Sequence, residues 1–563
     1  MDAEKRSTKV TEEDLDNTWI DEDGVLYSQD RKRLLRSIFG LDKYQVKEGT
    51  LVICDEAFSS NKSLQHIDLP SSLTHIGNGA FKNCESLQSV NIPESVTEIK
   101  HETFRWCIAL KNIEIPSSVR RIGLLAFYGC KSLHSINIPD SVEEIDLKAF
   151  MHCSSLESIT IPEKVTSIGE EEFAMCTSLQ KINIPETVTS IGGGAFGGCS
   201  SLQRINIPNS VKWIGDLAFK CCKSLQSINI PESITEIEDE TFAYCEALRN
   251  INIPESVNFI GYSAFANCKS LQSVNIPESV TEIEGWTFDG CSSLESIVIP
   301  SSISEIAYAM FKECSSLQSI HIPDSVTKIG DEAFLDCKSL KSINIPESVT
   351  CLRREAFKNC LSLKNLNIPE SVTNIENGAF DCCDITNFKL ESSLFSFVKY
   401  CLFDSSKQKL LGCFKNSIVY YDIPESITDI GDSAFMECTS LHNINIPNSV
   451  TSIGSGAFDG CSSLQSINIP NTVNSIGIGA FFHCTSMKNV NIPNSVISIG
   501  NSAFRDCSSL QNINIPNSIK IIENFTFMGC SALQNISMPE SITDVEEGLF
   551  DQCPSLQHIF IPQ

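Results

Sequence analysis

The chain has 563 residues, a formal net charge of −28 and a hydrophobic content of 42%. Such an acidic chain lacks the positive surface that binding to nucleic acid or to an anionic membrane requires. It also contains no run of about 18 apolar residues, so the sequence predicts no membrane insertion.

The N-terminal part precedes a long repeat array. Residues 1–17 are polar and acid-rich and predict a disordered tail. Residues 18–45 place apolar residues on both sides of a polar turn at 28–32, which predicts a β-hairpin cap. No apolar segment follows the first charged residues, so no secretory signal is visible, and this favours a cytoplasmic location.

A unit of 23 residues then repeats from about residue 46 to the C-terminus. Of the 22 prolines, all except Pro554 fall in register, from Pro70 to Pro369 and again from Pro424 to Pro562. A fixed period of this length predicts a solenoid, in which each coil packs only on its neighbours. The segment 399–422 interrupts the register and repeats the hairpin pattern, so it predicts a second hairpin between arrays at 46–398 and 423–563.

Each repeat predicts one coil with two extended pieces. Residues 110–115 alternate apolar and polar side chains, as a strand with one buried face does, and Pro116 ends the strand because it lacks an N–H group. A shorter piece contains Val96 and Ile99 in the preceding repeat. Stacking of such coils in register predicts a parallel sheet with strands spaced roughly 4.8 Å apart.

The repeat resembles the BspA-like leucine-rich repeats. The match is carried by Gln-Arg-Ile-Asn-Ile-Pro-Asn-Ser-Val at 203–211 and by Ala-Phe-Gly-Gly-Cys at 195–199. The resemblance covers residues 24–563 and implies a leucine-rich-repeat arc with a parallel sheet on its concave face and two β-hairpin inserts. It also implies a secreted or cell-surface antigen that adheres to host or matrix proteins.

The outward strand positions form two polar columns on the predicted concave face. We expect these columns to offer a broad binding surface, whereas the alternative is an amide ladder in which stacked asparagines bond coil to coil. Val298 and His321 depart from the asparagine column and are further binding candidates. The columns are represented by Asn206, Asn229, Asn252, Asn275, Lys181 and Arg204.

A second candidate binding surface is aromatic. Phe259, Tyr262, Trp286 and Tyr308 occupy positions outside the predicted core in three adjacent repeats. Exposed aromatic residues grouped in this way suit contact with a protein or a glycan. Partial packing of these rings on the edge of each coil is the alternative.

Cysteine is frequent, and 20 of the 26 cysteines share one repeat position, from Cys84 to Cys383 and from Cys438 to Cys553. Their spacing excludes the usual zinc and Cys-x-x-Cys redox motifs. Disulfides would have to join identical coils two by two, so buried free thiols that act as small apolar residues are favoured.

No catalytic set, metal site or cofactor motif is visible, so the sequence predicts no enzyme and no cofactor. The partner is expected to be a protein or a glycan. The last coil, with Phe560 in an outward position, predicts self-association through its open edge. Two functions remain open at this point: surface adhesion and an intracellular interaction scaffold.

Overall fold

Each repeat folds into one coil with a long strand, a turn after the proline, a short strand and a ridge of turns that carries the phenylalanine and the cysteine. The structure is a computed structural model that describes residues 7–560. Contacts divide the chain into two compact units, the first ending at Ser302 and the second beginning at Ile303. The predicted repeat solenoid with parallel strands and two hairpins is confirmed.

The elements of the first unit are α1 (Glu12–Asp16), β1 (Thr18–Ile20), β2 (Leu26–Ser28), β3 (Arg33–Arg36), β4 (Lys43–Gln45), β5 (Val52–Ile53), β6 (His66–Asp68), β7 (His75–Ile76), β8 (Ser89–Asn91), β9 (Glu98–Ile99), β10 (Asn112–Glu114), β11 (Arg121–Ile122), β12 (Glu144–Ile145), β13 (Ser158–Thr160), β14 (Ser167–Ile168), β15 (Lys181–Asn183), β16 (Ser190–Ile191), β17 (Arg204–Ile205), β18 (Trp213–Ile214), β19 (Ser227–Ile228), β20 (Glu236–Ile237), β21 (Asn250–Asn252), β22 (Phe259–Ile260), β23 (Ser273–Asn275), β24 (Glu282–Ile283) and β25 (Ser296–Val298).

The elements of the second unit are β26 (Glu305–Ile306), β27 (Ser319–His321), β28 (Lys328–Ile329), β29 (Ser342–Asn344), β30 (Cys351–Leu352), β31 (Asn365–Ile368), β32 (Asn374–Ile375), β33 (Asn387–Leu390), β34 (Phe395–Val398), β35 (Cys401–Asp404), β36 (Lys409–Cys413), β37 (Tyr420–Asp422), β38 (Asp429–Ile430), β39 (Asn443–Asn445), β40 (Ser452–Ile453), β41 (Ser466–Asn468), β42 (Ser475–Ile476), β43 (Asn489–Asn491), β44 (Ser498–Ile499), β45 (Asn512–Asn514), β46 (Ile521–Ile522), β47 (Asn535–Ser537), β48 (Asp544–Val545) and β49 (His558–Phe560).

The strands pair in parallel with the equivalent strand of the next coil, without a shift in register. Asn250 of β21 stands opposite Ser273 of β23, and Ile260 of β22 stands opposite Ile283 of β24. Long strands thus form one set of sheets, and short strands form another on a different side of the coil. Because successive repeats have the same length, each apolar side chain packs against the equivalent side chain of the neighbouring coil.

Stacked phenylalanines fill the core of each unit. In the first unit the ring of Phe127 lies 5.4 Å from that of Phe150, with an angle of 5° between the ring planes. In the second unit Phe458 stacks on Phe435 at 5.4 Å and on Phe481 at 5.3 Å. All of these rings are fully buried. The repeat therefore places one large apolar side chain per coil in a continuous stack.

The cysteine column lies beside this stack, and its members are free thiols. The Cys130 thiol donates to the Phe104 carbonyl at 3.2 Å, and the Cys484 thiol donates to the Phe458 carbonyl at the same distance. Burial raises the pKa of the Cys176 thiol to about 12. The repeated sulfur therefore fills a small space and satisfies a turn carbonyl of the preceding coil.

Residues 7–17 fold against the first hairpin and differ from the predicted disordered tail. They contain α1, which Thr11 and Asp14 cap reciprocally. The Arg33 guanidinium of β3 forms an ion pair with Asp14, with an Nη1–Oδ1 distance of 2.6 Å. Composition alone does not show this pairing between residues far apart in the chain. The rest of that predicted tail, 1–6, lies outside the described residues.

Both hairpins are antiparallel three-stranded segments that join the short-strand sheet by their third strand. In the first, β1 pairs with β2, β2 with β3, and β3 continues in parallel with β5. In the second, β34, β35 and β36 follow the same plan, and β36 pairs with β38. The second segment spans 395–413 and so begins before the predicted 399–422, because Phe395 already pairs with Asp404.

Candidate functional site

The long strands of the first unit present a polar surface, which we call the strand face: Lys181, Arg204, Asn206, Asn229, Asn252 and Asn275. Side chains alternate along each strand, so Ile205 and Ile251 point into the core while their neighbours point to solvent. All six strand-face residues are exposed. The repeat thus aligns equivalent polar groups along successive coils.

The asparagines of the strand face largely lack partners within the chain. Within residues 7–560, the side chains of Asn206, Asn252 and Asn275 form no hydrogen bond. Asn229 differs, because its amide nitrogen donates to the Ile207 carbonyl at 2.7 Å and its oxygen accepts from the Ile207 N–H at 3.0 Å. The alternative of a continuous amide ladder is therefore not the arrangement seen here.

The Asn229 side chain bonds to the Ile207 backbone because the local strands are short. Strands β17 and β19 each contain two residues, and their paired register covers Arg204 to Ile205 and Ser227 to Ile228. The backbone ladder ends before Ile207, and the Asn229 side chain supplies the donor and acceptor that a further strand residue would supply. Asn229 is thus structural, whereas Asn206 on the adjacent coil is available to a ligand.

Two basic side chains lie on the strand face of this acidic protein. Lys181 of β15 and Arg204 of β17 occupy the same position in successive coils and are exposed. Neither forms an ion pair with any residue in the described range, although many other basic residues do. Two neighbouring cations without partners suit a carboxylate or another anionic group of a ligand.

Val298 and His321 lie in the asparagine column of their own units. Val298 of β25, in the first unit, is 61% exposed. His321 of β27, in the second unit, is also exposed. The long strands of the second unit line a shallow hollow of about 420 Å³, whose asparagines include Asn489, Asn512 and Asn535.

The predicted aromatic surface lies beside the short strands, away from the strand face. Phe259 of β22 is half-buried, and Tyr262, just after this strand, is 43% exposed. Trp286 is half-buried in the next coil, with a left-handed backbone at φ = 61°. Tyr308 belongs to the second unit, where its hydroxyl donates to Glu332 at 3.3 Å. A binding role for these residues stays a prediction.

An aromatic cluster that the sequence did not reveal lies on the turn ridge of the first unit. The Trp106 and Tyr128 rings lie 5.2 Å apart, and the Tyr128 and His152 rings 5.4 Å apart. The ammonium group of Lys131 lies 5.2 Å from the Trp106 ring. Burial lowers the pKa of His152, and Lys131 adds to this effect. The rings are half-buried and already contact one another, so the cluster offers less free surface than the strand face.

Trp106 and Tyr128 occupy different repeat positions, so a search of single columns misses their contact. The available signal is Gly129, where an added Cβ would lie 2.5 Å from the Trp106 ring. A glycine directly before the column cysteine therefore marks space for a large side chain from the preceding coil. Gly198, at the equivalent position of a later coil, leaves the same kind of space for Met175, whose Sδ would lie 2.5 Å from an added Cβ.

The described part of the chain shows no group of three or more His, Cys, Asp and Glu side chains arranged to hold a metal ion. Across residues 7–560, no helix has the length and apolar character needed to cross a membrane. At the C-terminal end, Ile559 of β49 is 46% exposed. The side chain of Phe560 and residues 561–563 lie outside the described residues, and self-association through this coil stays a prediction.

Comparison with protein families gives a match over most of the chain. The matching family is described as a BspA type leucine rich repeat region in six copies. A comparison with curated protein sequences finds no match. The residues matched by the family are 51–180, 166–295, 286–409, 411–507 and 452–563.

Solved structures with a related fold come from several bacteria. A leucine-rich repeat protein from Bacteroides ovatus is 30% identical, with a TM-score of 0.52, over 66% of this chain and 97% of that chain. A leucine-rich repeat protein from Eubacterium ventriosum is 23% identical, with a TM-score of 0.36, over 59% of this chain and 83% of that one. The T. pallidum leucine-rich repeat protein is 32% identical, with a TM-score of 0.25, over 32% of this chain and 77% of that one.

Proposed function

Because the chain belongs to the BspA-type leucine-rich repeat family, we propose that it is a non-catalytic scaffold that binds a protein partner through its strand face. One observation carries the proposal: Asn206, Asn252 and Asn275 are exposed in successive or nearby coils and have no side-chain partner in the described structure. Amide groups that are aligned and unpaired can donate to and accept from a partner without first breaking internal bonds.

The chemistry of the strand face defines the partner further. Amide groups dominate it, and Lys181 and Arg204 are its unpaired cations. A complementary protein would present backbone or polar side chains opposite the asparagines and a carboxylate opposite the two basic residues. The net charge of −28 makes such contacts more selective, because most of the surface repels acidic proteins.

The test compares two neutral triple variants of the full chain. Asn206→Ala, Asn252→Ala and Asn275→Ala together remove amides of the strand face. The matched control, Thr235→Ala, Asn258→Ala and Thr281→Ala, removes exposed polar groups beside the short strands of the same unit. Each protein is immobilised and exposed to lysate and culture medium of the source organism, and captured proteins are quantified by mass spectrometry.

We expect at least one protein to be captured by the wild type and by the control, and about tenfold less by the strand-face variant, which corresponds to about 1.4 kcal/mol. Binding of that protein is then repeated with purified components. Equal binding to both variants, or loss in the control alone, would contradict a role for the strand face.

The proposal has two narrower forms, adhesion at the cell surface and an intracellular interaction scaffold. The family resemblance favours the first. Labelling of intact source cells with a membrane-impermeant biotin reagent distinguishes them. Surface adhesion predicts that this protein is tagged while a cytosolic control is not, and an untagged protein beside a tagged surface control would exclude it.

A further inference from the structure

Three cysteines meet where the second hairpin covers the first coil of the following array. Cys401 lies in β35, Cys413 ends β36, and Cys438 belongs to the cysteine column. All three are buried free thiols in one apolar core. Cys413 stands opposite Cys401 in the paired strands, and both residues share one buried cluster with Cys438.

Cys401 and Cys413 are direct cross-strand partners in the antiparallel pair of β35 and β36. The Cys413 N–H donates to the Ala434 carbonyl at 2.7 Å, and the next N–H, of Phe414, donates to the Tyr400 carbonyl at 2.8 Å. Cys401 and Cys413 therefore form a pair of the kind that exchanges no backbone hydrogen bond. In such pairs the Cα atoms lie about 4.5 Å apart, which is within the range of about 4.4–6.8 Å that a disulfide spans.

Cys438 differs from its equivalents along the chain. The column cysteines on either side, Cys383 and Cys461, each donate to a phenylalanine carbonyl of the preceding coil at 3.1 Å. The hairpin occupies that place below Cys438, whose thiol donates to no carbonyl in the described structure and shares a buried cluster with Cys413. The thiols of Cys383 and Cys461 are thus held by a carbonyl, whereas the Cys438 thiol has no carbonyl acceptor in the described structure.

The first hairpin provides an internal comparison. There the Ser37 N–H donates to the Ala57 carbonyl at 2.7 Å, which matches the bond from Cys413 to Ala434 in the second hairpin. In the first hairpin, Ser37 replaces Cys413, Val25 replaces Cys401 and Asn61 replaces Cys438. The same backbone arrangement thus forms without cysteine, so the fold of the hairpin does not require these three thiols.

We propose that Cys401 and Cys413 form a reversible cross-strand disulfide by exchange with a low-molecular-weight disulfide. The Cys413 thiolate attacks one sulfur of the small disulfide, which gives a mixed disulfide and releases one small thiolate. Cys401 then loses its proton to solvent and attacks the Cys413 sulfur, which releases the second small thiolate. Two protein thiols are oxidised, and the small disulfide is reduced to two thiols.

The surroundings make Cys413 the attacking residue. The neighbouring Cys401 and Cys438 thiols lower the pKa of Cys413, and the nearby Lys415 adds to this effect. Its pairing with Cys413 and burial raise the pKa of Cys438. Strand β34 is the outer strand of this sheet, so local opening of β34 and β35 gives a small reagent access. The resulting bond would close β35 onto β36, the strand by which the hairpin joins the array.

The experiment uses the full chain in glutathione buffers that range from reduced to oxidised. After incubation the protein is denatured with N-ethylmaleimide present, digested with trypsin and analysed by mass spectrometry. We expect oxidised glutathione to join the peptides 400–407 and 410–415 by a bond that dithiothreitol cleaves. We also expect the column cysteines to remain alkylated as free thiols.

Cys401→Val and Cys413→Ser copy the residues of the first hairpin, so they should fold with an unchanged circular-dichroism spectrum and lose the linked peptides. Cys484→Ala, in the column away from the hairpin, should keep them. Because burial slows access, the wild type is also refolded from denaturant in the same buffers. Full alkylation of every cysteine after both treatments, or linkage of Cys413 to Cys438 instead, would overturn the proposal.

Discussion

Glu172 is a fully buried acid in the first unit, and replacing it with alanine should stabilise the surrounding coils. The equivalent positions in the adjacent coils are Ala149 and Ala195. Glu172 Oε2 accepts from the Gly169 N–H at 2.6 Å, but Oε1 has no hydrogen-bond partner. Burial raises the pKa of this carboxyl well above its usual range, and Asp146 adds to the effect.

The size of the gain follows from these contacts. A buried polar atom without a partner costs about 1–3 kcal/mol, and loss of the bond with Gly169 costs about 1 kcal/mol. We therefore expect Glu172→Ala to raise the free energy of opening by up to about 2 kcal/mol near neutral pH. A change of about 2 kcal/mol corresponds to about 30-fold slower amide exchange.

The gain should depend on pH in a defined direction. The raised pKa of Glu172 means that the carboxyl binds its proton more tightly in the folded than in the unfolded chain. Its contribution to stability is therefore fully present below the unfolded pKa and is lost as pH rises towards the folded pKa. The advantage of the alanine variant should grow between about pH 5 and about pH 7.5.

Hydrogen exchange measured by mass spectrometry on peptides from residues 146–196 gives the local readout. Comparing variant and wild type at the same pH cancels the intrinsic pH dependence of exchange. Glu170→Ala is the matched control, because it removes an exposed glutamate two residues away in the same coil. Equal slowing in both variants, or faster exchange in Glu172→Ala, would refute this account of the buried carboxyl.

Three further predictions concern other parts of the structure. Phe458→Ala should destabilise the second array by about 3–5 kcal/mol, measured as a lower denaturant midpoint, because it removes a fully buried ring from the stack; an unchanged midpoint would contradict this. Burial raises the pKa of Asp381 to about 7, so the charged carboxylate destabilises the fold above that pH. Asp381→Asn should therefore slow amide exchange around residues 377–383 at about pH 8 and have little effect near pH 4. A larger effect at the lower pH would refute this prediction. In Gly77→Ala the added Cβ would lie 2.4 Å from the Asp55 backbone nitrogen, whereas in Gly193→Ala the atom nearest to the added Cβ lies at 3.3 Å. Thermal unfolding should therefore begin at a lower temperature in Gly77→Ala than in Gly193→Ala. The reverse order would contradict the close backbone approach at Gly77.

The repeat period predicted the main features of the fold because one constraint acts at every coil. The position of Phe127 or Cys130 in one coil places the same residue in the next, so stacking follows directly from the sequence. The alternation within each long strand likewise predicted which residues reach solvent. For Arg204 and Asn206 the structure shows this exposure.

Features that depend on contacts between different repeat positions were not predicted. The Trp106 ring lies beside Tyr128, which occupies a different repeat position, so this contact does not join equivalent positions of two repeats. The pairing of Cys401 with Cys413 depends on the hairpin register, which contains an irregularity between Leu402 and Phe403. A single repeat pattern carries no information on such local departures.

The sequence also left the role of the asparagine column open. An amide ladder and a free surface require the same residues at the same spacing, so only side-chain contacts can separate them. Asn229 bonds to the neighbouring backbone, whereas Asn252 does not. The difference follows the backbone pairing, since β17 and β19 pair only as far as Ile205 and Ile228, whereas β21 and β23 pair through Asn252 and Asn275.

Site-specific photo-crosslinking tests the binding role of the strand face most directly. A benzophenone amino acid replaces Asn252 on the strand face in one protein, and Glu236 on the short-strand side in another; both positions are exposed. The two proteins are illuminated with the captured partner. A binding strand face predicts a covalent adduct from position 252 and none from position 236. An adduct from position 236 alone would contradict it.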